Sequence, residues 1–317
     1  MTGVVTVLVG VDCDRPRLQY RDAPGFDKEL REVCGYLETL LERWSSSGMG
    51  WTLFLCGAFV EIASESRTSA DLHAMLGVAY DAGEIACHSF RHNAVATVPG
   101  RSDIRVVTLS ELKEELDANT ALLSSLKLIG EDPIGFRAPY GFAAGGISAA
   151  RMQVISTRRS YSSSLLRSKV AGICPPLVED GMIRQPVMRR CGIWELPSHG
   201  WHDTVFAGLS KSSNGPGPDR PPWEHYADLV REAAAISDQL EREIFVGLTL
   251  HPVAMKEYDR DQCLLERIAD ASVVGGHEIS FTSFDKAVAA LESRPVPELA
   301  FDASVGSSKV LGVAPVD

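Results

Sequence analysis

The chain has 317 residues, of which 45% are hydrophobic and 23% charged, and its net charge is −11. That length and balance suit one α/β barrel or two smaller globular domains. The acidic excess, with no block of Lys or Arg, excludes the electrostatic footprint of a nucleic-acid or anionic-membrane binder.

The first predicted strand is residues 4–11, a β-branched apolar run that leads into Asp12-Cys13-Asp14. No Lys or Arg precedes Arg15, so the basic leader of an export signal is not expected, and a cytoplasmic protein is. The helical pattern of residues 27–44 follows, then a strand at 51–57. The apolar stretch from Trp51 to Ala63 is interrupted by Glu61 and is shorter than the roughly 20 residues that cross a bilayer. Further helices are predicted at 70–82, 109–128, 223–242 and 262–271, with strands at 84–88, 134–138, 192–197 and 244–251. Ser110 is read as the start of the 109–128 helix, and Gly83 and Gly130 as stops for two helices. Residues 208–222 are rich in Gly, Pro and Ser and read as a loop.

Strands alternating with helices imply a mainly parallel sheet joined by right-handed crossovers. About seven such units suit a barrel better than two domains. Residues 1–293 are therefore expected to form one barrel, and 294–317 a C-terminal tail. The seven Cys are odd in number and form no CxxC pair, so buried free thiols are expected rather than disulfides or a Cys-held zinc.

Four short motifs carry chemistry. Asp12 and Asp14 close the first strand, and residues i and i+2 of a strand face one space. Two carboxylates so close call for a cation or a shared proton. His88 and His92 follow another strand, four residues apart, a spacing that suits a metal if the chain turns helically there. In the Gly135-Phe136-Arg137-Ala138-Pro139-Tyr140-Gly141 segment a strand delivers Arg137, Pro139 stiffens its exit, and Gly141 permits a tight turn. His251-Pro252 closes the last apolar strand, where an imidazole can act as general acid.

In this order the four motifs resemble those of the polysaccharide deacetylases (NodB homology, carbohydrate esterase family 4). The Asp-x-Asp form is most similar to the branch with peptidoglycan deacetylase-like and allantoinase-like cyclic amide hydrolases. The resemblance implies a distorted (β/α)7 barrel, with Asp14, His88 and His92 holding a divalent metal, usually zinc. It also implies Asp12 as base, Arg137 as the residue that orients it, and His251 as the acid that protonates the leaving amine. Self-association is implied as well. The family commonly supplies an Asp that supports the acid His. The segment expected to carry it is Tyr161-Ser162-Ser163-Ser164, which offers only hydroxyls.

Pro139, Tyr140, Trp194, His199 and Trp201 are candidates for contact with substrate, since aromatic planes suit sugar faces. His73, His225 and His277 are expected to be structural or solvated. Cys13 and Cys87 flank proposed ligands but have no partner base in the sequence that would make them nucleophiles. Asp117 and the stretch from Glu111 to Glu115 read as a solvated helix face. No GxxxxGK[ST], GxSxG or HExxH motif occurs. The expected activity is metal-dependent removal of an acetyl or similar acyl group from a small intracellular substrate such as an amino sugar. The alternatives are ring-opening hydrolysis of a cyclic amide or imide, and a catalytically silent binding protein on the same barrel.

Overall fold

The structure is a computed structural model describing residues 4–16, 21–132, 134–168, 174–179, 182–209, 220–272 and 277–294. The expected tail beyond residue 294 and most of the 208–222 loop lie outside the described residues.

In chain order the elements begin with β1 (Val4–Cys13), α1 (Phe26–Ser46), β2 (Trp51–Leu55), α2 (Gly57–Glu65), α3 (Ser69–Met75), β3 (Gly83–Cys87) and α4 (Leu109–Ser125). Then come α5 (Ala149–Ser156), β4 (Tyr161–Ser162), β5 (Val178–Glu179), β6 (Met182–Ile183), β7 (Val187–Met188) and β8 (Trp194–Glu195). The chain continues through α6 (Pro222–Leu240), β9 (Ile244–Leu250), α7 (Pro252–Tyr258), α8 (Leu264–Ser272), β10 (Glu278–Thr282) and α9 (Phe284–Glu292).

β1 and β9 are apolar on both faces and buried along nearly their whole length, as strands covered by helices on one side and filled by side chains on the other must be. β1 is the organising strand. One of its edges pairs with β9; the other pairs first with β10 and then, beyond Leu8, with β2, and β3 follows β2. All of these pairings are parallel, as the alternation of elements predicts. Single bridges carry the sheet from Cys87 to Phe136 and from Phe136 to Ser162, and β4 then pairs in parallel with β8.

Two irregularities, of the kind a distorted barrel admits, are local. β7 is antiparallel to β8, and β5 and β6 form a small antiparallel pair. Among the described residues no continuous ladder joins β8 to β9. The His199 N–H instead donates to the Gly247 carbonyl at 2.7 Å. Gly247 is required there, because a Cβ would come within 2.2 Å of the Pro197 carbonyl oxygen.

The helices hold the sheet through one apolar stripe each. On α1, Leu30, Val33, Leu37, Leu40, Leu41 and Trp44 recur every three or four residues and are all buried. The predicted 70–82 helix stops at Met75, with Gly77 at φ 64 just beyond its end. The 109–128 helix is capped at Thr108 rather than Ser110. The Thr108 hydroxyl accepts from the Glu111 N–H, and the Glu111 carboxylate accepts from the Thr108 N–H. The predicted 134–138 strand contracts to the bridge at Phe136. All seven Cys are free, and five are buried. Among the described residues no helix is long and apolar enough to cross a membrane.

Candidate active site

The parallel strands deliver their C-terminal ends to one region, where Asp12, Asp14, His88, His92, Arg137 and His251 meet. β1 ends in Asp12-Cys13-Asp14 and presents both carboxylates to the same space, each 3% exposed. Asp12 is held on one side by Arg137, whose Nη1 donates to Oδ1 at 2.7 Å. Its other oxygen, Oδ2, faces two imidazoles: His88 Nε2 and His251 Nε2 each lie 3.9 Å away.

Arg137 is fully buried and every part of its guanidinium is used. Nε donates to the Ser163 carbonyl at 3.1 Å and Nη2 to the Ser163 hydroxyl at 3.0 Å, while the ring of Phe54 lies 4.0 Å beneath. Space for this group comes from Gly10 on β1, where a Cβ would lie 2.3 Å from Nη2. Burial raises the Asp12 pKa, but Arg137, His88 and His251 more than offset it, so the carboxyl stays below its ordinary value and ionised.

The serines at 162–164 thus serve Arg137 and its strand rather than His251. Ser164 Oγ accepts from the Ala138 N–H at 2.8 Å. The carboxylate that meets His251 is instead Asp203, in a 3-10 turn over Asp203–Val205. Asp203 Oδ1 accepts from His251 Nδ1 at 2.6 Å, and Oδ2 accepts from the His251 backbone N–H at 2.5 Å. Nε2 of His251 therefore points towards Asp12. Burial alone would lower the His251 pKa, but the Asp203 carboxylate prevails and raises it to about 9. No feature of the local sequence marks Asp203; it sits 48 residues before its partner.

His88 and His92 are not on a helix, so the helical turn that would bring residues four apart together is not what joins them. They lie in an irregular loop after β3, with Ser89 at φ 58 and His92 at φ 60, and their ring centroids are 5.0 Å apart. Such backbone is uncommon outside glycine and persists only where its surroundings hold it. The support comes from α4. Glu115 Oε2 accepts from the N–H groups of Phe90 and Arg91 at 2.9 and 2.7 Å, and Oε1 accepts from Asn93 Nδ2 at 2.8 Å. One turn on, Asn119 Nδ2 donates to the carbonyls of Ser89 and Leu55 at 2.8 and 3.0 Å. Glu115 is 8% exposed, so its reading as part of a solvated face is corrected. Asp117, by contrast, is exposed at the surface, paired with Arg158.

The donors suit a divalent cation chemically. The His88 Nδ1–H donates to the Arg137 carbonyl at 2.9 Å, which fixes the tautomer and leaves Nε2 as a bare lone pair. His92 Nε2 and Asp14 Oδ2 are 3.0 Å apart, close to the roughly 3.3 Å between two tetrahedral zinc ligands. Among the described residues, no three His, Cys, Asp or Glu side chains form a ready cage, so completing one requires His88 to close on that pair.

The candidates for substrate contact divide. Tyr140 is half-buried at the site, its ring centroid 4.9 Å from that of His92, and its φ of 62 turns the chain after buried Pro139. Trp201 is partly exposed, with its ring 6.2 Å from that of His225. Trp194 is 5% exposed and packs into a core cluster with Leu8, Phe54 and Tyr161. His199 is 1% exposed, and both ring nitrogens are engaged: Nδ1 accepts from the Gly247 N–H and Nε2 donates to the Arg184 carbonyl. It pins β9 rather than lining a pocket.

No protein-family model matches the chain, and no curated protein matches it by sequence. Solved structures do resemble it in shape. A protein assigned as a polysaccharide deacetylase from Mycobacterium smegmatis superposes with a TM-score of 0.58 at 15% identity, covering 94% of this chain and 96% of its own. Puue allantoinase gives 0.60 at 11% identity over 93% of each chain. A second protein assigned as a polysaccharide deacetylase, from Pseudomonas aeruginosa PAO1, gives 0.57 at 12% identity, covering 93% of this chain and 94% of its own. At such identities the likeness establishes a shared α/β fold with a parallel central sheet.

Proposed function

We propose that the chain is an amide hydrolase that removes an acetyl or similar acyl group from the nitrogen of an amino sugar or another small N-acylated molecule in the cytoplasm. It would use a divalent metal, zinc first. The observation that carries this reading is the position of Asp12, one oxygen locked by Arg137 and the other facing His251. A parallel barrel, closed where His199 meets Gly247, belongs to the same proposal.

A divalent cation held by Asp14, His88 and His92 would polarise the amide carbonyl and acidify the attacking water. Asp12 Oδ2 takes a proton from that water. Arg137 keeps the carboxylate ionised until then, and its fixed guanidinium holds the accepting oxygen in place. An amide nitrogen is a poor leaving group, so collapse of the tetrahedral adduct needs a proton. His251 Nε2 supplies it, with Nδ1 anchored to Asp203 throughout. The deep, ionic placement of Arg137 and Asp12 is costly for a merely structural pair, which favours chemistry over a silent scaffold. Metal analysis of the purified protein, together with acetate release from a panel of N-acetylated sugars and amines, tests the proposal. Bound metal and released acetate support it.

Ring opening of a cyclic amide or imide is the second reading. The fold likeness to Puue allantoinase favours it. The same base and acid would serve, and the distinguishing result is a heterocycle consumed with no acetate formed.

A further inference from the structure

Arg167 stands on the rim of the site between its two halves. On one side its Nε donates to the Tyr140 carbonyl at 2.5 Å, and the Tyr140 ring packs 4.9 Å from that of His92. On the other, the carbonyl of the preceding residue, Leu166, accepts from His202 Nε2 at 3.2 Å, and the His202 ring lies 6.4 Å from that of His251. The Arg167 backbone is anchored too, its N–H donating to the Phe142 carbonyl at 3.3 Å.

The chain carries 42 acidic residues against 31 basic ones, yet among the described residues no Asp or Glu pairs with Arg167. Arg167 is partly exposed as a residue, and its terminal nitrogens are not among the buried polar atoms that lack a partner, so they reach solvent. Burial pushes its pKa below the ordinary value and nearby Arg101 adds to the effect, while Cys174 and Tyr140 act in the opposite direction. No carboxylate is among those groups. By contrast, Arg101 is exposed and forms a two-point pair with Asp103. Withdrawing a guanidinium even partly from water without an anion is unfavourable, and its planar fork, its terminal nitrogens still reachable, matches a carboxylate or phosphate. Hydrogen bonding to Tyr140 uses Nε; the two terminal nitrogens have no hydrogen-bond partner among the described residues.

We propose that Arg167 binds an anionic oxygen group, a carboxylate or a phosphate, carried by the substrate near its scissile amide. The proposal rests on the amide-hydrolase reading above and deepens it: the substrate is an anionic N-acyl compound.

The test uses matched probes on the full chain: N-acetylglucosamine against its 6-phosphate, and N-acetylalanine against N-acetylalaninamide. Turnover and calorimetric binding are measured for the wild type, Arg167→Gln and Arg167→Lys, with thermal melts to confirm folding. The expected result is that Arg167→Gln raises KM or Kd for one charged probe by about 10- to 100-fold. The loss for its neutral partner should be several-fold smaller than for the charged probe, and Arg167→Lys should fall between. The phosphate and carboxylate pairs separate the two anion classes. If no probe is hydrolysed but a charged one binds in an Arg167-dependent way, the anion site stands and the hydrolase reading fails. Equal treatment of charged and neutral probes, in both binding and turnover, overturns the proposal. Should Arg167→Gln melt early, Arg101→Gln at the exposed neighbour gives the second check, with a loss of about two- to fivefold expected for the charged probe alone.

Discussion

Asp203 holds His251 at two points, accepting from its ring Nδ1 at 2.6 Å and from its backbone N–H at 2.5 Å. Both the rotation of the imidazole and the identity of its free nitrogen are set by this one carboxylate. Asp203→Asn should therefore lower kcat by about 10²- to 10⁴-fold, the usual worth of a positioned acid, with little change in KM. A purely structural role would leave the shape of the pH–rate profile intact. The expected result is a shift of its alkaline limb to lower pH, because the imidazolium loses its counter-charge.

The proposed base and the proposed metal ligands should separate by mutation. Asp12→Ala is expected to abolish turnover while bound metal is retained, since Asp12 answers to Arg137 and not to the His92–Asp14 pair. His88→Ala should lose both. Metal content by elemental analysis and rates from an acetate assay decide this; an unchanged rate in Asp12→Ala would remove the base assignment.

Three histidines with displaced pKa values shape stability against pH in the chelated protein. Burial drives His199 and His202 down to about 4. The unfolded chain binds their protons first, so stability is lost as pH falls from about 6.5 towards 4. His251 runs the other way. Its raised pKa of about 9 makes the contribution complete below about 6.5 and lost as pH rises through 9. Melting temperature should peak near neutrality, and Asp203→Asn should flatten only the alkaline side.

Gly10→Ala offers a test of how the base is oriented. The added methyl would sit 2.3 Å from the Arg137 guanidinium. Overpacking of this kind costs about 1–3 kcal/mol. A drop in melting temperature together with a larger loss of kcat than of apparent affinity is the expected pattern. Stability loss with full activity would show that Arg137 need not sit where it does.

Glu115→Gln reaches the proposed metal site from outside. It keeps the volume but weakens the hold on the Phe90 and Arg91 N–H groups that shape the His88–His92 loop. Removing such outer support generally lowers metal affinity by about 10- to 100-fold. Competition with a metal-binding dye measures this directly. Unaltered affinity would mean that the loop is held by Asn119 alone.

Much of this protein is legible in one dimension because strands and helices are local. β1 and β9 are unbroken apolar runs, α1 carries its stripe at helical spacing, and Asp12, Asp14, His88, Arg137 and His251 all lie at or beside the ends of such runs. A parallel sheet brings those ends to one side, so their meeting follows from the order of elements. What only the tertiary structure decided are contacts with no local signal. Asp203 reaches His251 across 48 residues, Glu115 leaves its expected solvated face to cap the histidine loop, Gly10 makes room for Arg137, and His199 is spent on joining segments rather than on a pocket. The physical reason is common to all four. A buried polar group must find a partner, and which partner lies within 3 Å depends on how distant segments pack, a quantity that no periodicity in the chain encodes.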